Sequence, residues 1–162
     1  MNLPFEQAVA THGETVLRVC RAVLGPGSDA DGAWSETFLA ALKAWPELDE
    51  NTNVEAWLVR VAHRKAIDIT RQLSRRARMV SPTPPEELPE CENGVEGASI
   101  SNCDIWELVA ALPLRQRQAI AYHYLGGLSY REAAELIGSN ADAVRRAAAD
   151  GMKKLRKSYR HD

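Results

Sequence analysis

The sequence predicts an all-α chain of two small helical domains, an N-terminal helix bundle and a C-terminal four-helix domain with a helix-turn-helix, joined by a flexible acidic linker. Three observations predict it. Apolar residues recur at spacings of three, four and seven in both halves, the period of an amphipathic helix, with no run of the alternation that marks a strand. Residues 79–103 break that period with four prolines, two glycines and five glutamates and carry no lysine or arginine, a composition that resists folding. The 162 residues, 45% apolar and 26% charged, suffice for one ordinary domain or two small ones with real cores. The expected boundaries are therefore 1–78, 79–103 and 104–162.

The first helix lies between Pro4 and Leu24, where Phe5, Val9, Val16, Leu17, Cys20 and Val23 share a face, and Gly25-Pro26-Gly27 ends it. A second runs from about Asp29 to Trp45, with Trp34, Phe38, Leu39, Leu42 and Trp45 on one stripe and Pro46 behind them. Thr52 and Glu55 form a capping box for a third, whose apolar face is Val54, Trp57, Leu58, Val61, Ala62 and Ile69. Beyond the linker four shorter helices follow: Asp104 to Ala111; Leu114 to Leu125, entered at Pro113; Ser129 to Gly138, opened by the Ser129-Tyr130-Arg131-Glu132 box; and Ala141 to about Tyr159. The last two, joined by Gly138-Ser139-Asn140, have the layout of a helix-turn-helix: Ala133-Ala134 permit a close crossing, and Val144 anchors the second helix inward.

The net charge of -2 conceals strong patterning. Residues 29–55 carry seven acids and one base, and residues 60–78 carry seven bases and one acid. The acidic linker follows, and residues 141–160 return to seven bases against two acids. Basic groups along a helix edge neutralise phosphates and release counterions, the main sequence-independent source of affinity for nucleic acid. Two such helices on one tether predict a protein that touches one polynucleotide at two places. Asp142, Arg145 and Arg146 stand at the N-terminal end of the last helix, where a recognition helix meets base edges and arginine grips guanine bidentately. Ser129, Tyr130 and Arg131 would lie by the backbone and set the orientation.

Other function classes find little support. No stretch reaches the ~18 apolar residues of a membrane span, and MNLPFEQAVA lacks the basic start and apolar middle of a signal peptide. A cytoplasmic protein without membrane insertion is expected. Cys20, Cys91 and Cys103 are odd in number and never at C-x-x-C spacing, so neither a disulfide framework nor a zinc knuckle is expected. Asp29, Asp31 and Glu36 are acids of a helix face, and His63 lies near Asp68. With no glycine-rich phosphate loop, nucleophile elbow or H-E-x-x-H, no catalytic residue, metal or cofactor is expected and the chain reads as a non-enzyme.

Read together, the two halves resemble the extracytoplasmic-function (group IV) RNA polymerase sigma factors of the sigma-70 family, which have only regions 2 and 4. DADGAWSETFLAALKAW is similar to the region 2.1 to 2.2 helix, and VEAWLVRVAHRKAIDITRQLSRR to regions 2.3 to 2.4. LVAALPLRQRQAIAYHYLGGLSYREAAELIG and the closing KKLR are similar to region 4. The resemblance implies that region 2 docks on the β′ coiled coil of core RNA polymerase through Asp31, Trp34, Glu36, Phe38 and Leu39. It implies that Asn53, Trp57, Arg60, His63, Arg64, Ile67 and Arg71 capture the minus-ten element as an unpaired strand, by stacking and phosphate charge. Region 4 would meet the β flap and read the minus-thirty-five element with Ser129, Tyr130, Arg131, Ser139, Asn140, Asp142, Arg145, Arg146 and Lys153. Family members are often held by an anti-sigma factor, which adds that class to the expected partners.

This chain departs from the family's pattern at two places. His63-Arg64 stands where the family usually has asparagine, exchanging a base-reading amide for a charge. Ala143-Val144-Arg145-Arg146-Ala147 replaces the usual T-V-K-S-R, and Asp150 replaces a customary base. The alternative to a sigma factor is a helix-turn-helix regulator that acts without polymerase and dimerises through an unrelated N-terminal domain. It would bind specific duplex DNA alone.

Overall fold

The computed structural model describes residues 4–79 and 100–160. In chain order the helices are α1 (Phe5–Leu24), α2 (Ser28–Ala44), α3 (Val54–Met79), α4 (Ile100–Ala110), α5 (Leu114–Ala119), α6 (Tyr130–Ile137) and α7 (Ala141–Arg160). A 3-10 turn at Trp45–Glu47 closes α2, and a π-helical turn at Ile120–Leu125 continues α5. The described residues contain no strand. Most of the expected linker, residues 80–99, lies outside them, but its last four residues belong to α4, which starts at Ile100 rather than Asp104.

Helix ends follow local chemistry. Pro46 cannot donate the next helical hydrogen bond, so α2 tightens into the 3-10 turn, closed by the Leu48 amide on the Trp45 carbonyl. The cap of α3 differs from expectation: the Asn53 side-chain oxygen accepts from the Ala56 amide at 3.2 Å, so Asn53 and not the Thr52–Glu55 box starts the helix. Glu55 instead faces His12 of α1, with 3.5 Å between Nδ1 and Oε2. The box at α6 forms as expected, with the Glu132 amide donating to the Ser129 hydroxyl at 3.0 Å and the Ser129 amide to the Glu132 carboxylate at 2.9 Å. Gly138 ends α6 in the left-handed region at φ +85°, which glycine adopts without steric cost, and the Asn140 side chain caps α7 through the Ala143 amide at 2.8 Å.

Two apolar cores result. The first joins α1, α2 and α3 through Val16, Cys20, Ala33, Phe38, Leu58 and Ala62, edged by Trp34, Trp45 and Trp57. Phe5 meets Phe38 and Trp45 edge-on, and the Trp34 indole donates to the Gly13 carbonyl at 2.8 Å. The second core gathers α4 to α7 around Leu112, Ile120, Tyr122, Leu128 and Val144, but also takes in Val19, Ala22 and Val23 of α1 and Ala56, Val59 and Ala66 of α3. Helices α1 and α3 are thus buried on two faces, and the halves of the chain share one core. The expected stripe on α2 is narrower than its sequence suggests: Phe38 is buried, whereas Leu39 is 56% and Leu42 51% exposed.

Candidate nucleic-acid interface

The long helix α3 positions the first candidate set. Trp57, Arg60, Arg64, Ile67 and Arg71 follow one another at spacings of three and four and so form one stripe, which starts at the cap residue Asn53. Arg64 and Arg71 are exposed, while Trp57, Arg60, His63 and Ile67 are half-buried. The ring of Trp57 packs on the first core, which leaves part of it for stacking. Asn53 is exposed but its side-chain oxygen is committed to the helix cap.

Arg60 and His63 face the second half of the chain. The His63 Nδ1 lies 2.6 Å from the Tyr122 hydroxyl, and the two rings meet edge-on at 5.1 Å. Arg60 stands 3.9 Å from the Glu132 carboxylate, a long, part-exposed pair of small energetic weight. Tyr122 is completely buried, and burial pushes its phenol far above the ordinary range. The phenol therefore keeps its proton and shares one hydrogen bond with Nδ1, whose direction is set by the imidazole tautomer. Burial first and then the Arg64 guanidinium push the His63 imidazole below its usual value of 6.5.

The sign of the pH dependence follows. The folded protein favours neutral His63, so the stabilisation is fully present above pH 6.5 and is lost as pH falls through 6.5 toward the depressed value. The groups that face this ring are Arg64 on its own helix and Tyr122 across the contact, with Cys20 beside the Tyr122 phenol. Acidification from about pH 7.5 to about 5.5 is expected to lower the melting temperature more in the natural chain than in His63→Gln, which cannot titrate. Equal slopes for the two proteins would remove His63 from the account.

Helices α6 and α7 position the second candidate set. Ser129, Arg131, Ser139, Asn140, Asp142, Arg145, Arg146 and Lys153 are exposed, and Tyr130 is half-buried. Several are already engaged: the Ser129 hydroxyl in the capping box, the Asn140 oxygen in the α7 cap, and Arg145 with Asp142 at 2.7 Å. The Arg145 guanidinium also lies 5.2 Å above the Tyr130 ring. Tyr130 stacks in turn on His123 at 3.8 Å, whose Nδ1 is 2.8 Å from the Leu128 carbonyl. His123 and Tyr122 thus support the two candidate surfaces. The aromatic run Tyr122-His123-Tyr124 was their only mark in the sequence.

The expected polymerase contact on α2 divides. Asp31, Glu36 and Leu39 are exposed; Phe38 is a core residue, and half-buried Trp34 is tied to Gly13. Glu36 stands 4.0 Å from Lys65 of α3. Leu42, one turn from Leu39, shares the inward period of Phe38 yet is exposed and joins this face. Burial, aided by the Asp31 carboxylate, pushes the Cys20 thiol up to about 12, so it stays protonated. Among the described residues no group of three or more metal-ligating side chains converges, and no helix is long and apolar enough to cross a membrane.

Comparison with known proteins assigns the two halves separately. Residues 8–76 match the family described as Sigma-70 region 2, and residues 104–155 match Sigma-70, region 4. The chain is 29% identical over 157 residues to the RNA polymerase sigma factor NccH of Alcaligenes xylosoxydans xylosoxydans, covering 93% of this chain and 84% of that one. It is 31% identical over 151 residues to the ECF RNA polymerase sigma factor SigD of Mycobacterium tuberculosis, covering 87% and 70%. In fold it is similar to RpoE of Bartonella quintana, solved with the anti-sigma factor NepR, at a TM-score of 0.72 and 17% identity over 98% of both chains. It is also similar to CnrH, solved with the cytosolic domain of CnrY, at a TM-score of 0.66 and 23% identity over 98% of this chain and 88% of that one. With both regions present in order on a matching fold, the chain belongs to the extracytoplasmic-function sigma factors of the sigma-70 family, alternative sigma factors that direct RNA polymerase to promoters.

Proposed function

We propose that residues 1–78 bind core polymerase and capture the minus-ten strand, that residues 104–162 read the minus-thirty-five element, and that 79–103 tether them. The observation that carries this reading is the pair of basic helices, α3 and α7, each exposing arginines along one edge and each projecting from its own part of the core. On α7, Arg146 is exposed at the entry to the recognition helix and Arg145 is steadied by Asp142 and Tyr130. Arg131, Ser139 and Lys153 serve phosphates, fixing register without reading sequence. On α3, Trp57 and Ile67 offer stacking surface while Arg64 and Arg71 bind the backbone. Unstacking costs a few kcal/mol per base, so capture of the separated strand lets binding energy drive melting.

Core polymerase is approached through Asp31, Glu36 and Leu39 on the β′ side and through region 4 on the β flap side, with Trp34 and Phe38 holding α2 in place. The protein carries out no reaction of its own, needs no cofactor or metal, and works in the cytoplasm beside polymerase. The anti-sigma factors present with RpoE and CnrH support a partner of that class for this chain as well.

Reconstitution with core polymerase and run-off transcription on genomic fragments tests the reading. Promoter-specific transcripts that depend on the chain are expected. Arg146→Ala should reduce them through a loss of about 1–3 kcal/mol at one base pair. Failure to bind core would defeat the proposal, and tight specific duplex binding by the chain alone would favour a polymerase-independent regulator.

A further inference from the structure

Between the core and the entry of the recognition helix lies a series of contacts built on His123, a residue outside the proposed DNA set. Gly127, at φ +79°, turns the chain back after the π-helical turn, in a backbone region that glycine enters freely. That return brings Leu128 to the turn it has just left. The Leu128 amide donates to the Tyr122 carbonyl at 2.9 Å, and the His123 Nδ1 is 2.8 Å from the Leu128 carbonyl. A carbonyl oxygen only accepts, so Nδ1 carries the proton of this bond. Because Leu128 is buried in the second core, the imidazole is tied to the core through it.

The ring fixed in this way carries Tyr130. The two rings are parallel to within 14°, with centroids 3.8 Å apart, and Tyr124 meets His123 edge-on at 4.9 Å. Tyr130 carries in turn the Arg145 guanidinium, 5.2 Å from its ring centroid and within reach of a cation–π contact. Arg145 Nη1 donates to Asp142 at 2.7 Å, which uses one of the five guanidinium donors and leaves the others for a partner. Core and guanidinium are thus joined in three steps, through the Leu128 carbonyl, the imidazole and the phenol ring.

An arginine on an exposed helical turn has many rotamers, and a bidentate grip on guanine O6 and N7 admits few of them. Phosphate neutralisation is less demanding, because charge acts at almost any orientation of the side chain. Fixing Arg145 therefore favours the reading of a base far more than it favours general affinity for DNA.

We propose that His123 is a positioning residue for promoter reading: its ring holds Tyr130, and through Tyr130 Arg145, in the orientation that grips one guanine of the minus-thirty-five element. This role rests on α7 being the recognition helix. His123 touches no base itself, and its effect is confined to the base pair that Arg145 reads.

The test uses the full chain bound to core polymerase. Selection from promoter fragments randomised at the minus-thirty-five element gives the preferred bases, and fluorescence anisotropy gives the affinity for each single-base change. The natural holoenzyme should prefer one guanine by about tenfold or more, and Arg145→Ala should abolish the preference at that base pair. His123→Gln keeps a donor for the Leu128 carbonyl but removes the ring. It should cut the preference at the same base pair by about three- to tenfold, with the other positions and the melting temperature unchanged. His123→Phe keeps a flat ring for Tyr130 without the donor and should retain most of the preference. In the Arg145→Ala background, His123→Gln should change nothing further. Where circular dichroism shows that His123→Gln loses helix, His123→Leu replaces it with the same expectation.

Full preference in the folded His123→Gln holoenzyme overturns the positioning role and leaves the function intact. So does a loss spread over every position and over random-sequence DNA, which a phosphate contact by His123 or a loosened fold would cause. A His123→Phe holoenzyme as indiscriminate as His123→Gln overturns it too, since the stack would then not be what matters. If Arg145→Ala leaves every base preference unchanged, the reading of α7 through Arg145 fails, and the role of His123 with it.

Discussion

Aspartate in place of both Leu39 and Leu42 is expected to weaken binding to core polymerase by at least about a hundredfold, since buried interface anchors cost about 2 kcal/mol or more each when lost and such losses are not additive. These two aliphatic residues are over half exposed on α2, one turn apart and flanked by Glu36 and Lys43. Large apolar side chains exposed side by side on a helix mark a surface meant to be covered. The opposite face of α2 is held by Ala33, Phe38 and Ala41 in the first core, so the helix should survive the change. Fluorescence titration of the labelled chain with core enzyme reads the affinity, and circular dichroism checks the fold. An unchanged affinity in a folded double variant would move the polymerase contact away from this face.

The largest stability effect is expected at Gly151 of α7. A Cβ there would lie 2.8 Å from Ile120 Cδ1, 3.3 Å from Gln116 Cβ and 3.5 Å from Leu112 Cδ1, so the glycine admits α5 and its flanking residues close against α7. The Ile120 methyl can turn aside; the Gln116 Cβ is fixed to its backbone. Gly151→Leu should therefore destabilise the chain by about 3 kcal/mol, the scale of overpacking a filled core. For a protein of this size that is a drop of roughly 6–12 °C in melting temperature. Gly32 supplies the opposite case. It lies inside α2 with nothing within 4 Å of its Cβ position, and Gly32→Ala should stabilise by about 0.5–1 kcal/mol through reduced backbone entropy in the unfolded chain. Urea denaturation of both variants measures the pair. A Gly151→Leu protein as stable as the natural one would mean that α5 and α7 repack freely.

Most of the helices, and the order of parts along the chain, were legible in the sequence. The Ser129–Glu132 box, Pro46, Gly25 and Gly138 act on their own neighbours, and an amphipathic period is a relation between residues three and four apart. Such features need no distant partner to take effect. The candidate surfaces were legible for the same reason: arginines spaced along α3 and α7 must share an edge wherever those helices go.

Where local rules offer a choice, a neighbour distant in sequence decides it. Thr52 and Asn53 both can cap a helix, and the structure uses Asn53, which takes the oxygen of a residue expected to face DNA. On α2, periodicity alone placed Leu39 and Leu42 with Phe38, but an inward stripe is only as wide as the helices that cover it. Here Ala30, Ala33, Phe38 and Ala41 fill that width.

By itself, then, the sequence determined two helical segments, the two basic edges and the family. Only the tertiary structure decided that the halves close on one another. That closure depends on Tyr122 meeting His63 across 59 residues of chain and on the empty space at Gly126 that admits Val59. A single buried face writes a period into a sequence. The second buried faces of α1 and α3 are made of Val19, Ala22, Ala56 and Val59, small residues whose purpose shows only when a partner of matching shape lies against them.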